Sequence, residues 1–118
     1  MRRFLAIGVA AIAVAAPLST SAATASATAQ WSRYWKSSCW DKMELHAKGT
    51  KVTGSFTWFA GSLVGTVKGS KLTGTWKAWP HYRGSFVFTL SSNGKKFQGH
   101  WKYRGKAWKS CSGTKTRG

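Results

Sequence analysis

A five-residue pattern, apolar–any–Gly–any–apolar, recurs through the middle of the chain and narrows what it can fold into. It reads Val52-Thr53-Gly54-Ser55-Phe56, Leu63-Val64-Gly65-Thr66-Val67, Leu72-Thr73-Gly74-Thr75-Trp76, Tyr82-Arg83-Gly84-Ser85-Phe86 and Phe97-Gln98-Gly99-His100-Trp101. Turn formers separate the copies: Lys48-Gly49-Thr50, Ala60-Gly61-Ser62, Lys68-Gly69-Ser70 and Ser92-Asn93-Gly94. Asn-Gly is the strongest of these, because both residues tolerate positive φ. Period-two alternation with a turn every ten or so residues predicts antiparallel strands joined by hairpins. After the first 29 residues no segment carries a helical period.

The alternation assigns faces. Met43, Leu45, Ala47, Val52, Phe56, Trp58, Leu72, Trp76, Phe86, Phe88, Leu90, Phe97, Trp101 and Tyr103 fall on one side. Lys42, Glu44, His46, Thr53, Thr73, Thr75, Lys77, Arg83, Gln98, His100, Lys102 and Arg104 fall on the other. The glycines share the apolar side, where they cost strand stability and bury no side chain. A small, tightly curled sheet supplies the reason: rings on neighbouring strands need vacant space, and glycine lets the sheet bend. The expectation is an all-β fold, a small antiparallel up-and-down barrel or strongly curled sheet of about six strands. The last strand is expected to run from 96 to 109, bent at Gly105. An open twisted sheet and a two-layer sandwich are the alternatives.

Cys39 and Cys111 flank this region. With six strands the start of the first and the end of the last lie at the same end, so a disulfide there staples the seam, contributing about 4 kcal/mol by loop closure. Two free thiols are the alternative. The chain opens with Arg2 and Arg3, an apolar run from Phe4 to Ala16, and Pro17. That run has signal-peptide length and is too short to span a bilayer comfortably. Ala27-Thr28-Ala29 fits an A-x-A cut after residue 29, and Ala23-Thr24-Ala25 offers a competing cut after residue 25. The expected layout is a secretory leader over 1–29, a basic and aromatic arm over 30–38, the β domain over 39–111 and a basic flexible tail over 112–118. The expected location is extracellular.

"KVTGSFTWFAGSLVGTVKGSKLTGTWKAW" resembles small secreted bacterial domains built from repeated T-G-x-aromatic strands. The resemblance spans about residues 40 to 102 and implies the fold without an activity. The Thr73-Gly74-Thr75-Trp76 strand is similar to strands of avidin-type barrels; no biotin-pocket residue carries over from that motif.

Charge sets the functional expectation. The chain has 19 Lys and Arg against 2 acids, Asp41 and Glu44. Removing Arg2 and Arg3 with the leader leaves a net charge near +15, whereas roughly 2–8 in magnitude suffices for solubility. Such an excess repels itself and attracts polyanions. Enzymatic readings fare poorly. The two carboxylates point to opposite faces of a strand, and there is no G-x-S-x-G elbow. His46, His81 and His100 are too scattered for a metal site. No metal or cofactor is expected. One enzyme class needs no acid: a ribonuclease using His46 and His100, placed on neighbouring outer faces if the barrel closes on six strands.

Some rings break the alternation and lie among cations. Trp79 follows Lys77 on the outer side, Phe59 follows the inward Trp58, and Trp108 sits outside beside Lys102, Arg104 and Lys106 unless a bulge at Gly105 turns it inward. The arm adds Trp31, Arg33, Trp35 and Lys36, which either cap the core or form a mobile contact. The candidate binding residues are therefore Trp31, Arg33, Trp35, Lys36, Lys77, Trp79, Arg83, Lys102, Arg104, Lys106 and Trp108. Rings beside cations suit an anionic bilayer, a wall polymer or acidic polysaccharide, or single-stranded nucleic acid. The expected function is binding to anionic cell-envelope material, membrane surface or wall polymer, with an antibacterial, bacteriocin-like role. The alternative is an adhesion module for extracellular polysaccharide or nucleic acid.

Overall fold

Alternating apolar and polar side chains close on themselves into a barrel. The computed structural model describes residues 27–117, so the expected leader up to residue 26 and Gly118 lie outside the described residues. Eight strands follow one another: β1 (Arg33–Ser37), β2 (Asp41–Lys48), β3 (Lys51–Phe56), β4 (Gly61–Lys68), β5 (Lys71–Ala78), β6 (Tyr82–Leu90), β7 (Lys96–Tyr103) and β8 (Lys109–Lys115). Each pairs antiparallel with the next, and β1 pairs with β8 to close the ring.

The expected count of about six strands is corrected to eight, and both additions are at the chain ends. The 30–38 segment supplies β1, with Trp35 and Ser37 inside and Lys36 outside. In β8 the inward residues are Cys111 and Gly113, so that strand carries almost no apolar signal. The long bent strand over 96–109 does not form. Gly105 adopts φ 76° in a turn where Lys106 N–H donates to the Tyr103 carbonyl at 2.9 Å, and the chain reverses into β8.

The disulfide forms as expected, between Cys39 and Cys111, with Cα atoms 5.3 Å apart. Its place follows from the seam. β1 and β8 pair Trp35 with Lys115, Lys36 with Thr114 and Ser37 with Gly113. Carried two residues further, that register sets Cys39 opposite Cys111. Between them Ser38 N–H donates to the Ser112 carbonyl at 2.8 Å.

An interior of eight strands is just wide enough for side chains to fill. Trp40, in the β1–β2 turn, plugs the middle. Its ring stacks on Phe56 at 4.5 Å and meets Trp76, Phe86, Phe88 and Trp101 at 5.5–6.1 Å. Trp31 and Trp35 close the other end against Phe97. The indole N–H groups of Trp31 and Trp40 find no acceptor among the described residues. An orphaned donor costs about 1–3 kcal/mol, whereas truncating a buried ring of this size costs about 3–5 kcal/mol, so burial wins. Gly61 and Gly113 make room for this filling, since a Cβ there would strike the Phe56 and Phe97 rings, while other inward glycines allow close strand approach. A Cβ on Gly74 would strike the Val64 carbonyl, and one on Gly99 the Val87 carbonyl.

Up-and-down topology sorts the connections by end. The turns over 38–40, 57–60, 79–81 and 104–108 share one end. The turns over 49–50, 69–70 and 91–95 share the other with the start of β1 and the end of β8. Each rim is tied laterally by backbone hydrogen bonds, among them Trp79 N–H to the Phe59 carbonyl at 2.7 Å and Leu90 N–H to the Ser70 carbonyl at 2.8 Å.

Candidate functional site

Outward Lys77 ends the polar row of β5, and the chain then leaves the strand through Trp79 and Pro80. It returns in β6, where Arg83 lies directly opposite Lys77. Like charges placed across a strand pair destabilise it, and no carboxylate relieves this one. The only acids in the sequence, Asp41 and Glu44, lie on β2, four strands from β6 round the ring of eight. Arg104 adds a third cation, since its N–H donates to the Arg83 carbonyl at 2.9 Å.

Lys77, Arg83 and Arg104 flank a groove of about 530 Å³ on the outer face of β4–β6, floored by Val64, Thr75 and Ser85. A second hollow of about 480 Å³ continues it past Lys77 and Arg83 to Trp79 and Pro80. Exposed rings gather at this end: Trp79 at 69% exposure, Trp108 at 49%, Phe59 at 49% and Tyr82 at 36%. Lys102 places its Nζ 4.8 Å above the Trp108 ring. Behind the exposed rings lies a half-buried layer. Trp58 stacks on Tyr82 at 5.9 Å and meets Phe59 at 4.6 Å. Burial, and then the neighbouring Tyr82 phenol, raise the Tyr103 pKa above the usual phenol value.

Of the candidate residues read from sequence, the structure brings together Lys77, Trp79, Arg83, Lys102, Arg104, Lys106 and Trp108. It does not bring the arm to them. Trp31 and Trp35 are fully buried at the opposite end and have no surface to offer. Arg33 lies over the Tyr34 ring at 5.2 Å, also at that far end, and Lys36 faces Lys42 on the outer wall. Phe59 and Tyr82 are the contact residues that the candidate set lacked. Phe59 is legible as a parity break. Tyr82 has inward parity and is exposed because it begins its strand at the rim.

His46 and His100 are not on neighbouring strands, because β1 and β8 stand between β2 and β7. His46 instead lies 3.3 Å from Glu44. Among the described residues no three His, Cys, Asp or Glu side chains gather as a metal site would require. No helix among them is long and apolar enough to cross a membrane. Comparison with protein-family models, with curated proteins and with solved structures returns no match.

Proposed function

We propose that the protein is a secreted binder of anionic cell-envelope material, and that the Trp79 end of the barrel makes the contact. One observation carries the reading: exposed rings and cations converge at a single barrel end, where Asp41, the one side-chain carboxylate there among the described residues, is already engaged by the Thr57 hydroxyl at 3.2 Å. Tryptophan sits well at a headgroup interface, and each Lys or Arg near an anionic surface adds about 1 kcal/mol. An antibacterial role follows if the contact damages a target membrane. A second reading has its own observation. The groove between Lys77 and Arg104 is open along the wall, a shape that also admits a chain of acidic polysaccharide or wall polymer.

The test places purified protein with live bacteria, anionic vesicles, teichoic acid and RNA. Survival, dye leakage, pull-down and cleavage are read together. Killing with leakage supports the membrane reading, and polymer capture without leakage supports the second. RNA cleavage lost on changing His46 or His100 would overturn both. Charge contacts decay steeply with salt and ring contacts do not. Arg104→Ala with Lys106→Ala is therefore expected to weaken binding and flatten its salt dependence. Trp79→Ala or Trp108→Ala is expected to weaken binding at an unchanged salt slope with Tm nearly preserved.

A further inference from the structure

The opposite end of the barrel has a different chemistry. Two of its turns read Lys-Gly-x-Lys, and each sets lysines directly across from one another: Lys48 opposite Lys51 and Lys68 opposite Lys71. Lys95 ends the third turn and Lys96 begins the strand after it, and all six lysines are exposed. The glycines of the two matching turns, Gly49 and Gly69, have open space around them and positive φ. Like charges opposite one another destabilise a hairpin. An exposed tip accepts most residues, yet these tips carry no acid to offset the repulsion.

The tips are also fixed in place. Val67 N–H donates to the Thr50 carbonyl, Leu90 N–H to the Ser70 carbonyl and Lys115 N–H to the Lys95 carbonyl, each at 2.8 Å. The lysines therefore stand on a tied rim. Seven steps of about 3.3 Å along a strand tilted by about 40° set the two ends roughly 18 Å apart. That exceeds the Debye length of about 8 Å at physiological salt, so the charges at the two ends are largely screened from one another.

We infer that this lysine end is a second docking surface, for the phosphate headgroups of an anionic bilayer, and that the protein bridges two anionic surfaces, one at each end. The inference rests on the reading of the Trp79 end given above. A flat, dense array of phosphates meets all three tips at once, whereas a single polymer chain meets fewer. Among the described residues, no exposed ring accompanies the lysine tips that would stack on a base or sugar.

The test uses vesicles containing phosphatidylglycerol, with neutral phosphatidylcholine vesicles as control. Co-sedimentation reads binding and light scattering reads vesicle clustering. The wild-type protein is expected to bind and cluster anionic vesicles only. The variant Lys48→Gln, Lys51→Gln, Lys68→Gln, Lys71→Gln is expected to bind single vesicles and lose clustering. Its Tm is expected to hold or rise, because repulsion is removed. Binding by the wild type without clustering overturns the inference. So does equal clustering by the four-lysine variant, which a dimer holding on through two Trp79 ends would give. No sedimentation by the wild type also overturns it, whatever the Trp79 end binds. The Trp79→Ala, Trp108→Ala double variant separates the two ends: unchanged binding there refutes the Trp79 end, while residual binding without clustering supports both ends.

Discussion

Phe59 occupies the left-handed region at φ 46°, ψ 42°, within a turn where Ala60 also has positive φ. For a bulky residue this costs about 1–2 kcal/mol. Its ring recovers part of that against Trp58 at 4.6 Å and Tyr82 at 5.7 Å, since such pairs contribute about 0.5–1.5 kcal/mol each. The two effects nearly cancel, so the residue is held outward at little net gain in stability. Phe59→Gly relieves the backbone and deletes the ring. Its Tm is expected to stay within a few degrees of wild type while binding to anionic vesicles weakens. A collapse of Tm would make Phe59 a structural wedge, and unchanged binding would remove it from the contact surface.

Strand glycines test the face assignment. Gly74→Val and Gly99→Val drive side chains into the Val64 and Val87 carbonyls, and overpacking of this kind typically costs about 1–3 kcal/mol. Thr73→Val on the outer face suits a strand and is expected to leave thermal unfolding nearly unchanged. Equal melting temperatures for the three variants would contradict the packing described. These faces were legible in sequence for β2–β7, where the inward positions are filled by apolar side chains. The end strands were illegible for a physical reason. β8 turns Cys111 and Gly113 inward, so its hydrophobic period is absent. In β1 the rings and cations have the same composition as the binding patch, and only the neighbouring strands decide that Trp35 faces in. The site was half legible on the same grounds: Trp79 and Trp108 broke a period that could be read, whereas Trp31 and Trp35 had no period to break. The pairing of the histidines failed with the strand count, since two extra strands separate them.

At the scale of the molecule, a strongly cationic chain is held closed against its own repulsion by the β1–β8 pairing and one covalent link. Cys39 and Cys111 are 72 residues apart, and constraining a loop of that length contributes about 4 kcal/mol in the chain-entropy model. Cys39→Ser with Cys111→Ser is expected to lower Tm by about 15 °C or more, with added salt restoring part of the loss. Intact-mass analysis of freshly made protein should show the oxidised form; two free thiols would remove the staple, and an unchanged Tm in the double variant would deny its structural role. The seam has a consequence in time. β1 leaves the ribosome first among the strands and its outer edge waits for β8, the last. A ring cannot shut until nearly the whole chain has been synthesised. The polypeptide therefore stays open throughout most of its translation. The final strand and the Cys39–Cys111 bond then act as a joint latch, deferring the charged, folded particle until the last strand is in place.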